Sequence, residues 1–257
     1  MVKGLYTAWT GMVNQQNRMD VLTNNLANSA TVGFKKEGAT SQAFDDVLAF
    51  KIKDTSDPAI ARNIGKMSLG VKIGENYTDY SQGSFKATEN TFDLALSGNG
   101  FFACEYTTKS GETSVKYTRD GSFTLNVNGE LVTKDGDYVL DEDGKHIVLD
   151  PNQAVSIDRS GAIMQGGRTV TNIQVTDFED YNYLEHYGES YYLKVDGARE
   201  KAAEAGVYSG YLEQSNVTVI NEMVELISVS RNYETNQKLI QSIDGTLEIA
   251  ANQLGKI

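Results

Sequence analysis

The run Val217-Thr218-Val219-Ile220-Asn221-Glu222-Met223-Val224-Glu225-Leu226 continues to Ile257 with no proline and two glycines. Along it Leu226, Val229, Tyr233, Asn236, Ile240, Ile243, Leu247, Ala250, Leu254 and Ile257 recur at alternating steps of 3 and 4. That period is a coiled-coil seam, because such positions all fall on one side of a slightly underwound helix. The first residues carry a counterpart: Leu5, Ala8, Met12, Gln15, Met19, Leu22 and Leu26 step in the same way. The spacing predicts a helix at each end of the chain. At 1.5 Å per residue the C-terminal seam runs about 60 Å and the N-terminal one about 36 Å. The two can pair within one chain. The shorter cannot cover the longer, so the remaining seam is expected to need a partner, or to stay disordered until one arrives.

Between the helices the pattern changes. The N-terminal helix stops near Asn28-Ser29-Ala30-Thr31-Val32-Gly33, a set of turn formers. Residues 34–75 show no sustained period. They read as irregular or extended, with an apolar patch at Phe44–Ile52 and a loop at Asp54-Thr55-Ser56-Asp57-Pro58. Further on, Asp120-Gly121, Asn128-Gly129, Asp135-Gly136 and Asp143-Gly144 punctuate short runs of β-formers, the strongest local signal for hairpins. Ser160-Gly161 and Gly166-Gly167 continue the series, and Asp196–Gly206 reads as a mobile surface loop. The fold class is therefore α+β: a central all-β domain inserted between coiled-coil-forming N- and C-terminal helices. The expected bounds are 1–33 for the N-terminal helix, 34–75 for a linker, 76–206 for the β-domain and 207–257 for the C-terminal helix.

Composition narrows the chemistry. A net charge of -12 disfavours nucleic acid and anionic membrane surfaces, which both need concentrated Lys and Arg. No apolar run approaches a membrane span, and no apolar leader segment is visible, which predicts a chain without a cleaved signal peptide. Cys104, the single cysteine, lies in the apolar run Phe101-Phe102-Ala103-Cys104 and reads as core. The Asp-Gly turns do not make a calcium loop: aligning Asp143-Gly144 to one places Val139 at the first ligand position. His146 and His186 have no CxxC or HExxH neighbours, and Gly98-Asn99-Gly100 lacks the third glycine and the helix of a phosphate loop. No metal, cofactor or catalytic set emerges, and the chain is not expected to be an enzyme. The tyrosines between Tyr181 and Tyr192 leave a second reading open, an oligomeric extracellular binding module or adhesin.

Three stretches together are similar to one family. Asn24, Asn25, Leu26, Ala27 and Asn28, followed by Thr31, Gly33, Phe34 and Lys35, resemble the N-terminal signature of bacterial flagellar rod and hook proteins. Phe92-Asp93-Leu94-Ala95 with Gly98–Phe102, and Tyr117-Thr118-Arg119-Asp120-Gly121-Ser122-Phe123, resemble the middle of that family. Ser215-Asn216-Val217, Glu222, Glu225–Ile227, Arg231, Tyr233, Glu234 and Asn236 resemble its C-terminal end. Ala30 and Ser230 depart mildly from the pattern. The resemblance implies a structural subunit of the flagellar rod, of the distal-rod type with the proximal-rod type as the close alternative. It implies a helical tubular axle that transmits torque from motor to hook, with the terminal helices inside. It implies export across the cytoplasmic membrane by the flagellar export apparatus. The implied partners are further copies of the chain, other rod and hook subunits and surrounding ring proteins. The residues implied to act in assembly are the Asn24–Phe34 motif and the seam Leu226–Leu254.

Overall fold

Residues 2–50, 63–108, 111–188 and 190–252 are described by a computed structural model. The seam positions Leu254 and Ile257, Ile52 and the Asp54–Pro58 turn lie outside them. The chain forms two compact units, one built from Met1–Leu26, Glu37–Asp79 and Thr218–Ile257, the other from Ala27–Lys36 and Tyr80–Val217.

The first unit holds both long helices, α1 (Val2–Ala27) and α2 (Val219–Asn252). They run antiparallel. A methyl group on Gly4 would touch Ile243 Cδ1 at 3.7 Å, and one on Gly11 would meet Asn236 Nδ2 at 3.1 Å. Further along, Arg18 donates to Glu225 Oε1 at 2.8 Å and Asn25 Nδ2 donates to Glu222 Oε2 at 3.3 Å. Positions 4, 11, 18 and 25 are seven residues apart, so one side of α1 faces α2 throughout. Small residues there let the helices approach closely. Burial follows the expected stripe: Val229 is buried, and Leu226, Tyr233, Asn236, Ile240, Ile243, Leu247 and Ala250 are each half-buried.

The stretch read as irregular or extended contains strands. β1 (Glu37–Ala43) pairs antiparallel with β4 (Val71–Thr78), and β2 (Val47–Phe50) with β3 (Asn63–Met67). Glu37–Ala43 is Glu-Gly-Ala-Thr-Ser-Gln-Ala, so no apolar alternation announces it. Its strand character comes from backbone pairing and from α1: Asn14 Nδ2 donates to Ser41 Oγ at 2.9 Å.

Among its described residues the second unit is all β apart from its first residues and one 3-10 turn. Its chain runs β5 (Phe85–Ala87), β6 (Leu94–Ser97), β7 (Phe101–Thr107), β8 (Thr113–Thr118), β9 (Phe123–Leu125), β10 (Leu131–Thr133) and β11 (Tyr138–Val139). It continues through β12 (Val155–Ile157), β13 (Ala162–Gln165), β14 (Arg168–Asn172), β15 (Val175–Phe178), β16 (Leu184–Tyr187) and β17 (Tyr191–Lys194). It ends with β18 (Glu200–Ala202), β19 (Gly206–Ser209) and β20 (Tyr211–Glu213). The main sheet is antiparallel in the order β16-β17-β8-β7-β11-β10-β9, with β15 also on β7 and β18 beyond β15. The strand β7 explains the core. Phe102 and Cys104 enter one cluster with Leu94, Phe123 and Ile163, whereas Phe101 and Ala103 enter another with Tyr117, Phe178 and Tyr192. Successive side chains point to opposite faces, so an unbroken apolar run means a strand buried on both sides. Burial pushes the Cys104 thiol well above its ordinary pKa.

Several sequence expectations shift here. The segment 147–149, a run of β-formers after the Asp143-Gly144 turn that the sequence predicts as a short strand, makes one isolated bridge, Glu130↔Val148, although Ile147 and Leu149 are buried. The stretch 196–206 contains β18, held on β15 by its backbone while its side chains stay exposed. The C-terminal helix begins at Val219, because residues 206–213 form β19 and β20 with a bend at Gly210 (φ 83°). The tyrosine segment is half core: Tyr192 packs on Tyr80 and Phe101, while Tyr183 and Tyr187 stay exposed. His146 stacks on Tyr138 and meets Glu105 Oε2 at 2.8 Å, and His186 sits edge-on to Phe34 and Tyr192.

Candidate functional site

Inside the second unit, the chain segment that leaves α1 meets the one that leads to α2. At Gly33 the backbone turns with φ 70°, and its N–H donates to the Glu213 carbonyl at 2.8 Å. A methyl group there would lie 2.5 Å from the Arg119 carbonyl carbon, so neither the angle nor the space admits a side chain. Phe34 and Lys35 follow into the interior, each 1 % exposed.

Lys35 Nζ donates to Glu213 Oε1 at 2.6 Å and to the Ser81 carbonyl at 2.9 Å. The same Glu213 oxygen accepts the Gly83 N–H at 2.9 Å. Its other oxygen accepts from Arg119 at 3.2 Å, and Arg119 also donates to the Gly98 carbonyl at 2.7 Å. Two cations thus share one carboxylate, out of water. Charges this deeply buried are tolerated when paired and hydrogen-bonded, and are costly when a partner is lost. Beside them Asn216 completes the clasp. Its Oδ1 accepts the Lys36 N–H at 2.7 Å, and its amide nitrogen donates to Ser81 Oγ at 3.0 Å. Segments around residues 33–36, 81–83 and 213–216 are held together by these few groups.

The other motif residues lie on either side. Asn25, fully buried, donates to the Glu37 carbonyl at 2.8 Å and accepts the Glu37 N–H at 3.0 Å, as another strand would. Thr31 donates to Asn28 through its backbone and its hydroxyl, both at 3.2 Å, which closes the turn after α1. Leu26 is half-buried, and Asn24 and Ala27 are exposed. The motif is therefore not one contact surface. Asn25 serves the first unit, and Gly33 and Phe34 serve the second. Sequence reading carries Lys35, Arg119 and Asn216 only within a resemblance and passes over Glu213. The signal missed is an acid in an apolar strand, Tyr211-Leu212-Glu213, which demands a buried cation somewhere in the chain.

Comparison with known proteins falls on these same segments. Residues 5–35 match the family described as "Flagella basal body rod protein". Residues 95–165 match "Flagellar hook protein FlgE/F/G D1 domain", and residues 208–254 match "Flagellar basal body rod FlgEFG protein C-terminal". Along its whole length the chain is 33% identical to the flagellar hook-basal body complex protein FlhO of Bacillus subtilis, all of which is covered. The chain belongs to the flagellar basal-body rod protein family. Over 98% of the chain it is also 34% identical to 99% of the flagellar basal-body rod protein FlgG of Caulobacter vibrioides. It is 31% identical to FlgF of the same organism over 100% of both chains. This rod/hook family is structural, not enzymatic, and its members give no support to a free-standing adhesin. Lys35, Arg119 and Glu213 each fall in a different matched segment, so the clasp is where the three parts of the family pattern meet in space.

Proposed function

We propose that the chain is a subunit of the flagellar rod that polymerises with its own copies into a helical tubular axle and transmits torque from motor to hook. The observation that carries this reading is the unfinished seam. Gly4 lies level with Ile243, yet α2 continues to Asn252, about 13 Å further at 1.5 Å per residue. Leu247 and Ala250, both on the seam, lie in that extension. A half-buried apolar stripe that outruns its intrachain partner is what further copies would cover. The assembly residues on this reading are Leu226, Val229, Tyr233, Asn236, Ile240, Ile243, Leu247 and Ala250, with Asn24–Phe34 holding the helix pair and the β-unit in form.

The chain takes its place in the basal body beside other rod and hook subunits, within reach of ring proteins, after passing the flagellar export apparatus. Full-length similarity to both FlgG and FlgF proteins supports a rod position in general. The distal-rod type is the favoured position, with the proximal-rod type as the close alternative. Electron microscopy of basal bodies from cells lacking this gene tests the reading: the rod should stop short and complementation should restore it. Full-length rods in the deletion strain would overturn it.

A further inference from the structure

The second apolar face of α2 is not part of the seam. Ile220, Met223, Val224 and Ile227 are 73%, 50%, 63% and 49% exposed. They stand at i, i+3, i+4 and i+7, the spacing of one helix face. At about 100° per residue they lie opposite Glu222, Glu225 and Val229, the side that meets α1. α1 carries an apolar patch of its own. Tyr6 and Trp9 are 48% and 49% exposed, with ring centroids 5.8 Å apart, on the side of α1 opposite Gly4 and Gly11. Within one chain these patches cannot meet. They point outward from a helix pair, and they sit near opposite ends of it, since Gly4 lies level with Ile243 and Asn25 with Glu222.

We infer that the two patches are the halves of one heterologous contact, in which Tyr6 and Trp9 of one copy dock on Ile220, Met223, Val224 and Ile227 of the next. The inference rests on the rod-subunit reading for its occupant, a second copy in the same orientation. Three features favour that occupant. The patches differ in kind: flat aromatic rings against an aliphatic row with a flexible methionine, which packs well on rings. A neighbour in the same orientation presents its α1 antiparallel to this α2, the sense already used inside the chain. A shift of about 22 Å along the helices, roughly fifteen residues, brings Trp9 level with Met223. A contact between unlike patches does not close on itself under a two-fold axis, and the axial shift keeps it from closing into a ring, so it repeats into an open filament. Each patch offers a few hundred Å², well below the ~800 Å² per partner of a stable dimer. The single contact is therefore weak and holds only where neighbours on several sides add to it, which keeps dilute chains apart.

The test uses the full chain with one new cysteine at a time, Trp9→Cys or Met223→Cys, Cys104 being buried and left in place. The two variants are mixed, concentrated until they assemble and treated with a short bis-maleimide. The expected product is a Trp9→Cys/Met223→Cys pair that exceeds either like pair about tenfold, with an Ile249→Cys mixture as the unlinked control. Ile220→Ser with Val224→Ser, both at exposed sites, should raise the concentration needed for assembly about tenfold or more while circular dichroism stays unchanged. Assembly with like pairs dominant, or with neither linked, overturns this contact and leaves the rod-subunit reading standing. Failure of the unsubstituted chain to assemble at any concentration, or in isolated basal bodies, overturns both.

Discussion

Lys35 Nζ and Glu213 Oε1 stand 2.6 Å apart, both side chains 1% exposed, and they join residues 178 positions apart in the chain. Arg119 shares the same carboxylate, so the three charges are unequal in their effect on stability. Glu213→Ala leaves two buried cations without a counter-charge and should cost about 3–5 kcal/mol. Lys35→Met leaves the Arg119–Glu213 pair and the Gly83 N–H bond in place, and should cost about half as much. Urea unfolding followed by tyrosine fluorescence measures both. Equal losses would show that the clasp does not act as a three-charge unit.

Gly33 combines a left-handed backbone with a closed site, whereas Gly144 has φ 74° and no atom within 4 Å of the place a methyl group would take. Gly144→Ala should cost only the conformational term, about 1 kcal/mol. Gly33→Ala adds a clash with the Arg119 backbone and should cost clearly more, with reduced motility in cells. Matching thermal shifts for the two variants would mean the close approach at Gly33 relaxes freely.

The seam is tested by charge. Ile243 lies against Gly4 and is half-buried, while Lys238 faces solvent. Ile243→Asp should weaken helix pairing and assembly by several kcal/mol per contact, and Lys238→Asp should do far less. The β-unit of both should keep its circular dichroism. Cells carrying Ile243→Asp should stop building the rod at this subunit; normal swimming would exclude the seam from assembly.

Helix protection should fall along α2. Glu222 and Val229 are buried, whereas the helix beyond about residue 245 runs past the start of α1. Hydrogen exchange of the dilute chain should therefore show the slowest α2 amides around residues 222–230 and fast exchange beyond 244. Uniform protection would point to a self-sufficient helix pair.

Asp120 supplies a pH test. Burial raises its carboxyl pKa above the ordinary value, against the hydrogen bonds from Ser122 that lower it. In the folded chain the proton is thus held more tightly than in the unfolded one. This group's contribution is full below the unfolded pKa and is lost as pH rises through the folded value. Asp120→Asn keeps an acceptor for Ser122 and removes that loss. Its stability relative to the natural chain should grow between about pH 3 and pH 7, as read from paired urea titrations. A gap that is flat or shrinks over that range would contradict the buried-carboxyl account.

The helices are legible in the sequence because their signal is local: the 3-4 step of Ile240, Ile243 and Leu247 needs no knowledge of the partner. The hairpins around Asn128-Gly129 and Asp135-Gly136 are legible for the same reason, since turn chemistry resides in adjacent residues. Glu37–Ala43 is not, because its strand is created by β4 and α1 and not by its own side chains. Glu213 is not, because a buried charge is understood only through a cation far away in sequence. The start of the C-terminal helix is misplaced at 207 for a similar reason: the strands β19 and β20 are made by pairing with β6 and β5, far away in sequence.

The distance in sequence between Lys35 and Glu213 sets an order of events during synthesis. The second unit cannot close its charged centre until residue 213, in its last strand, has been made. Closure over so long a loop is slow and comes late. Until then Lys35 and Arg119 remain in water, where a bare charge carries no penalty, and the emerging chain has little reason to settle into a finished β-unit. The Lys35–Glu213 pair works as a timer: it ties completion of the β-unit to the synthesis of its last strand.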